Sequence, residues 1–256
     1  MTVVERERRG HVEILTINRP EARNAINAAV STAMSDALDE LESDDDCWVV
    51  ILTGSGDKAF SAGMDLKAFA GGEAAGIMNA RGGFAGVTQR QFPKPLIAAV
   101  NGSALAGGCE IMLACDLVVA VEHATFGIPE AKRGLIAGAG GLFRLPRRLP
   151  FAVALELALT GDPIDAERAF DLGLVNRVVP SDRLMTSALE LAERIAENAP
   201  LAVRWSKKIM IDSAGQPDEV GWKCTQQGVG VVFSSADAME GPIAFAEKRK
   251  PNWQGK

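Results

Sequence analysis

Leu96 to Asp116, LIAAVNGSALAGGCEIMLACD, is the stretch of this sequence with the fewest folding options. Its first five residues, Leu96-Ile97-Ala98-Ala99-Val100, form a short apolar run bounded like a strand buried on both faces. Asn101-Gly102 ends the run with turn chemistry. After a few small residues, Gly107-Gly108 precedes Cys109-Glu110-Ile111-Met112-Leu113-Ala114-Cys115, which reads as a short buried helix. A strand therefore feeds a glycine pair that opens a helix. Such a start leaves free amides in the first turn, with the positive end of the helix dipole behind them. Glycine at 107 and 108 puts no side chain in the way of a ligand approaching those amides. Glu110 lies in this first turn among apolar neighbours, as an end-of-helix charge or as a working acid or base.

Composition narrows what such a place can serve. At 256 residues the chain can bury one large core or two modest ones. A net charge of −6 argues against a nucleic-acid or anionic-membrane partner. The apolar runs fall far short of a membrane span, and MTVVERERRG lacks an apolar signal-peptide core, so a cytoplasmic location is expected. The four cysteines, Cys47, Cys109, Cys115 and Cys224, contain no CxxC pair and are expected to be reduced packing residues. His11 and His123, the two histidines, lie in no ligand-like cluster, so neither a metal site nor a histidine triad is expected. Chemistry then falls to carboxylates and backbone amides.

Along the chain, Val12 to Ile17 is a strand signal preceded by a charged strand-like segment and Gly10, which predicts a hairpin. From Asn27, Val30, Met34, Leu38 and Leu41 recur at helical spacing up to an acidic turn at Ser43 to Asp46. Trp48 to Thr53 is a nearly all-apolar strand, and Gly54 to Asp57 turns it into Phe60-Ser61-Ala62-Gly63-Met64-Asp65-Leu66-Lys67. Residues 70–91 are rich in glycine and alanine with weak periodicity and read as a loop, mobile near a site or plainly on the surface. Leu117 to Val121 and the shorter Ala124 to Gly127 are further strands, followed by Ile128-Pro129-Glu130 and a glycine-rich loop from Gly134 to Gly141. Beyond this, helical patterns cover 151–159, 165–172, 182–198 and 201–212 and continue towards Lys250, with one strand signal at 175–179. The fold class is α/β with a C-terminal all-helical region.

The nucleotide patterns G-x-G-x-x-G and G-x-x-x-x-G-K-[ST] are missing, as is the G-x-S-x-G elbow of serine hydrolases. Two features at strand ends remain: the small-residue turn Ala62-Gly63-Met64-Asp65 and the Gly107-Gly108 helix start. Amides from two such ends converging on one carbonyl oxygen would form an oxyanion hole; otherwise both are tight turns. Glu110 and Glu130 both stand in near-apolar settings, where an acid is costly unless paired or functional. Two neighbouring carboxylates suit general acid–base work, since ionising one raises the pKa of the other. Alternatively Glu110 caps its helix and Glu130 pairs with Lys132 or Arg133. Lys132, Arg133, Arg144, Arg147 and Arg148 could meet phosphates or form a solvated face.

Taken together, the chain resembles the enoyl-CoA hydratase/isomerase (crotonase) superfamily. The likeness runs through Asn18-Arg19-Pro20 with Asn24-Ala25, Phe60 to Leu66, Ala98-Ala99-Val100-Asn101-Gly102, Ala106-Gly107-Gly108-Cys109-Glu110, Phe126-Gly127, Pro129-Glu130, Gly138-Ala139-Gly140-Gly141 and Glu247-Lys248-Arg249. It implies a spiral of β-β-α units over 1–195 and a C-terminal helical trimerisation region over 196–256, giving a homotrimer or a dimer of trimers. By position, Met64 and Gly107 would supply the oxyanion amides, and Glu110 and Glu130 match the two glutamates of the hydratases. Ala25, Ala62, Asp65 and Leu66, with Arg23 and Lys67, match positions that hold the coenzyme A moiety. Gly138 falls where relatives help hold the water, and Lys248 lies in a tail that can reach the nucleotide.

Within the family the likeness is greatest to the carnitine-pathway branch that hydrates crotonobetainyl-CoA, through Gly83 to Gly86, Pro129 to Lys132, Leu142 to Pro146 and Glu240 to Pro242. Met64 departs from that branch's usual tryptophan, Ala137 from a usual proline, and Ala106 from a frequent glycine. The implied reaction is hydration of a 2-enoyl-CoA thioester, with no cofactor beyond the coenzyme A carried by the substrate. A double-bond isomerase and a non-catalytic subunit that binds coenzyme A esters are the alternatives.

Overall fold

The chain is described by a computed structural model covering residues 2–79 and 81–256. β1 (Val4–Arg9) and β2 (Val12–Ile17) form an antiparallel hairpin that turns at Gly10, where φ is +56°. α1 (Ala28–Ser43) starts at Asn27, whose side chain accepts from the Val30 amide at 3.0 Å. It buries Val30, Met34, Leu38 and Leu41, the residues its period selects.

From there the chain repeats a unit of long strand, short strand and helical turn. β3 (Val49–Gly54) and β4 (Ala59–Ser61) lead into the single turn α2 (Leu66–Ala68). α3 (Ala74–Ile77) and a ribbon of β5 (Met78–Asn79) with β6 (Gly83–Phe84) follow. β7 (Leu96–Val100) and β8 (Ser103–Leu105) then lead to α4 (Gly107–Ala114). β9 (Leu117–Val121) and β10 (Thr125–Gly127) lead to a 3-10 turn at Pro129–Arg133.

The long strands lie in a six-stranded sheet of order β1-β2-β3-β7-β9-β12, where β12 is Arg177–Val179 and every pair after the hairpin is parallel. The short strands form a second sheet of order β11-β10-β8-β4, closed by the antiparallel β11 (Ile164–Asp165). Each unit thus advances one place in both sheets, which makes a spiral of β-β-α units. Asn101 ties successive units together. Its Oδ1 accepts from the Gly54 amide at 3.1 Å, and its Nδ2 donates to Gly56 O at 2.8 Å and Ala59 O at 3.1 Å. The Asn-Gly turn signal therefore marks a corner shared by two units.

The residues of β3 and β7 are buried throughout, as all-apolar runs covered on both faces should be. α5 (Gly141–Arg148), α6 (Phe151–Thr160) and α7 (Ala166–Asp171) follow the spiral, and α8 (Leu184–Ala196) packs across β2, β3, β7 and β9. The remaining helices are α9 (Pro200–Ser213), α10 (Asp218–Phe233) and α11 (Ala236–Glu247), of which α9 and α10 pack as a pair. Lys207 on α9 fastens them to the sheet, donating to Lys94 O at 2.8 Å and to Asp116 at 2.6 Å.

The strand–helix order read from the sequence holds, with two differences. The strands β4, β8 and β11 are too short for their period to register. Residues 70–91 are anchored rather than a plain loop: Ile77 and Phe84 are buried, and Ser31 donates to Ile77 O at 2.9 Å. Among the described residues no helix is long and apolar enough to cross a membrane, and no three His, Cys, Asp or Glu side chains group to hold a metal. All four cysteines are unpaired, and three are buried.

Candidate active site

Three residues occupy the same place in successive units of the spiral. Met64 follows β4, Gly107 follows β8 and Glu130 follows β10. Those strands are neighbours in the second sheet, so their carboxyl ends open side by side, where α/β sheets commonly present ligands.

The two amides are free for a physical reason. Ile26 pairs with Met64 in a parallel bridge, but its bonds go to the flanking residues: Ile26 N to Gly63 O at 2.8 Å and Asp65 N to Ile26 O at 2.9 Å. In this pattern the amide of the bridged residue faces away from the partner strand. Gly107 opens α4, so its amide has no carbonyl a turn earlier; the first intrahelical bond runs from Glu110 N to Ala106 O at 3.1 Å. Among the described residues neither the Met64 nor the Gly107 amide has an acceptor. Gly63, with φ +89°, brings the two turns together, since a Cβ there would lie 2.7 Å from Gly107 N.

Their surroundings hold this geometry. Ser61 Oγ donates to Asn24 O at 2.8 Å and accepts from Gly63 N at 3.2 Å. Asn24, fully buried at φ +55°, donates to Ser55 O at 3.0 Å and Ala59 O at 2.7 Å. The corner between β8 and α4 is Ala106, at φ +52° and ψ −129°, a conformation L residues rarely adopt. Holding it costs about 1–3 kcal/mol. A Cβ on Gly107 would meet the Phe84 ring at 2.5 Å, so that ring packs directly on the helix start.

The acids have unlike environments. Glu110 is 3% exposed, and its Oε1 accepts from the amides of Ala139 at 2.7 Å and Gly141 at 2.9 Å. Glu130 Oε2 is buried and has no hydrogen-bond partner among the described residues. Lys132 pairs with Asp162 instead, so surface pairing of Glu130 with that lysine is not how the chain disposes of the charge. Burial pushes the Glu110 carboxyl above the ordinary range, opposed by the Gly141 and Ala139 amides and by the Arg144 charge. Burial also pushes Glu130 up, opposed by its own amide and by Arg133, and the Glu110 charge pushes it further. The Glu110 charge is thus felt at Glu130, although the two carboxyls are solvated differently. Beside them, burial pushes the Cys109 thiol up to about 12, which keeps it neutral.

The other sequence-predicted residues divide. Ala62 and Met64 lie on the turn after β4 and Leu66 opens α2, with Ala62 braced by its amide on Arg23 O at 3.0 Å. Asp65 is occupied: it caps α2 by accepting from Lys67 N at 3.1 Å and Ala68 N at 3.2 Å, and pairs with Arg19 at 3.0 Å. Burial pushes its carboxyl up, but the Ala68 amide and Arg19 outweigh this and hold it below the ordinary range. Ala25 is buried, and its carbonyl accepts from Arg19 at 2.6 Å. Arg23, Lys67 and Gly138 are exposed, and a Cβ on Gly138 would meet Ile136 O at an ordinary 3.8 Å. Lys248 ends α11 at φ +54° and is exposed, and among the described residues no side-chain hydrogen bond or ion pair joins it to the acids.

Sequence reasoning missed the carriers of Glu110: the amides of Ala139 and Gly141, and the Arg144 side chain that holds the Ala139 carbonyl at 3.2 Å. The signal was present in Gly138-Ala139-Gly140-Gly141, a run that a backbone cradle requires. A cavity of about 430 Å³ lies elsewhere, between α9, α10 and α11, lined by residues such as Leu201, Phe233 and Met239.

Comparison with known proteins gives concordant results. Residues 7–256 match the family described as enoyl-CoA hydratase/isomerase. A carnitinyl-CoA dehydratase of Salmonella typhi is 46% identical over 254 residues, 97% of each chain. A crystal structure of an enoyl-CoA hydratase from Mycobacterium tuberculosis H37Rv superimposes with a TM-score of 0.96 at 51% identity, covering all of both chains. A carnitinyl-CoA hydratase from Mycobacterium avium is 50% identical with a TM-score of 0.80, again over the whole of both chains.

Proposed function

This chain belongs to the enoyl-CoA hydratase/isomerase family, and on that premise we propose that it is a hydro-lyase adding water reversibly across the Cα=Cβ bond of a 2-enoyl-CoA thioester of the crotonobetainyl-CoA/carnitinyl-CoA type. The observation that carries the reading is the pair of unbonded amides, Met64 and Gly107, together with the buried Glu110 carboxylate and the half-buried Glu130, whose Oε2 has no partner.

In this reading the thioester oxygen sits between the two amides. As the β-carbon is attacked, negative charge moves onto that oxygen, and the amides and the α4 dipole stabilise the enolate-like state. Two amides on Glu110 Oε1 favour its ionised form, so Glu110 takes the proton from water as hydroxide adds to Cβ. Glu130, whose Oε2 has no donor and which feels that charge, serves as the acid and delivers a proton to Cα. Dehydration runs the same transfers backwards. No cofactor enters these steps beyond the coenzyme A of the substrate.

For the coenzyme A moiety we propose Arg23, Ala25, Ala62, Asp65, Leu66 and Lys67, with Asp65 acting through its cap on α2 rather than as a direct ligand. Gly138 would border the water and Lys248 would meet the nucleotide. We divide the chain into a spiral core, 1–195, and a helical trimerisation region, 196–256, in a cytoplasmic homotrimer or dimer of trimers. The unpaired apolar side chains on α10 and α11, Phe233 at 74% exposure and Phe245 at 87%, support burial against another copy. The test is an absorbance assay on a panel of enoyl-CoA esters, crotonobetainyl-CoA included. Hydration of at least one ester, reduced about 10²-fold or more in Glu110→Gln and Glu130→Gln, is expected. Full turnover in either variant would end the assignment.

A further inference from the structure

The Glu110 carboxylate is held by backbone, and something must hold that backbone. The amides of Ala139 and Gly141 both point at Oε1, so the Ala139 carbonyl between them has to point away. Arg144 grips that carbonyl: its Nη1 donates to Ala139 O at 3.2 Å, and its Nη2 donates to Thr88 O at 2.6 Å. The reach back from α5 is possible because residue 140 is glycine, at φ +108°; a Cβ there would collide with Arg144 Nη1.

The second arm leads to the other half of the site. Thr88 Oγ1 accepts from Phe84 N at 3.1 Å, and the Phe84 ring lies on the Gly107 Cα, where a Cβ would meet it at 2.5 Å. One side chain therefore spans the loop that holds the acid–base group and the segment that packs on the oxyanion amide. The guanidinium also lies over the Phe143 ring, 4.9 Å from its centre, which steadies the fork.

We propose that Arg144 is a positioning residue for Glu110, fixing the 139–141 backbone so that the carboxylate meets water in a reactive pose, and coupling that loop through Thr88 and Phe84 to the Gly107 amide. This rests on the hydratase reading above. Arg144 touches neither substrate nor water in this role. A planar fork with two carbonyls to hold explains why arginine, rather than a point charge such as lysine, stands here. The charged groups around Glu110 are Glu130 on the turn after β10 and, on α5, Arg144, with Arg147 and Arg148 beyond it; the Cys109 thiol on α4 is neutral.

The test compares wild type, Arg144→Gln, Arg144→Lys, Glu110→Gln and the Glu110→Gln/Arg144→Gln pair on one enoyl-CoA ester that the wild type hydrates. Arg144→Gln should lower kcat about 10- to 100-fold with KM changed by less than about threefold, as misplacement of a catalytic group does. It should also move the acid limb of the kcat profile upward, because a cation favouring the ionised carboxylate is gone. Arg144→Lys should keep that limb near its wild-type position yet still lower kcat. In the Glu110→Gln background, Arg144→Gln should cost less than about threefold more, since residues acting as a unit are not additive. If Arg144→Gln does not fold, Arg144→Lys carries the kcat and KM comparison. Wild-type kcat in a folded Arg144 variant, or an equal loss with and without Glu110, overturns this inference alone. Absence of hydration by the wild type overturns the hydratase reading and this inference with it.

Discussion

Gly63 stands against Gly107 so closely that a Cβ on the first would lie 2.7 Å from the amide nitrogen of the second. The missing side chain is what lets the two strand ends approach this closely. Gly63→Ala should therefore displace the Gly107 amide, and the residue's φ of +89° adds backbone strain. Turnover should fall about 10²- to 10³-fold, the usual cost of one oxyanion donor. Steady-state kinetics on a folded Gly63→Ala protein check this, and near-wild-type kcat would mean that the 107 amide is not used.

The buried Glu110 and the half-buried Glu130 should cost stability as they supply chemistry. Both carboxyls are raised in the folded state by burial, so between the unfolded value of about 4.5 and the raised folded value the native chain binds more protons than the unfolded one. Stability then falls as pH rises through that window, and the full penalty persists above it. Glu130→Gln should raise the thermal midpoint at pH 7.5, and the gain should vanish as pH is lowered to about 4.5. Calorimetry of both proteins across that range checks it; a Glu130→Gln protein less stable at pH 7.5 would contradict the picture of an unpartnered carboxylate.

Ala106 holds φ +52° and ψ −129° at the corner into α4, where glycine is free of strain. Ala106→Gly should relieve part of about 1–3 kcal/mol of backbone strain, less about 0.5–1 kcal/mol of added chain entropy. The net expectation is a gain of about 1 kcal/mol and a midpoint higher by about 2–4 °C. Since the Gly107 amide keeps its place, kcat should stay within about twofold. A lower midpoint in differential scanning calorimetry would show that the corner is not strained.

The apolar side chains left open on α10 and α11 carry the assembly proposal. Phe233→Asp with Phe245→Asp should convert a trimer or hexamer into smaller species in light scattering, because charge on a buried apolar contact is unfavourable. A wild type that runs as a monomer, or a double variant that keeps the wild-type mass, would remove these faces from the interface.

Much of this fold is legible where periodicity or turn chemistry is strong. Val30, Met34, Leu38 and Leu41 mark α1, and Asn101-Gly102 marks the corner that Asn101 then staples to its neighbour. What is not legible is short or distant. The two- and three-residue strands β4, β8 and β11 are assigned by pairing across the chain, which no local pattern announces. The 70–91 segment reads as loop because small residues hide the anchoring done by Ile77 and Phe84. In the site, Glu110 stands out as an acid in an apolar helix, but its partners are backbone amides 29 and 31 residues later, invisible to any reading of side-chain type. Arg144 is visible only as one of a basic group until its two carbonyl acceptors are seen.

In the proposed mechanism Glu110 and Glu130 split water across a conjugated thioester held by the Met64 and Gly107 amides. The most direct measurement is mass analysis of the product formed from an enoyl-CoA ester in heavy water carrying labelled oxygen. Each product molecule should carry one labelled oxygen at Cβ and one deuterium at Cα, with both lost together in Glu110→Gln and Glu130→Gln. Deuterium gained with a shifted double bond and no labelled oxygen, or binding with neither label, would contradict it.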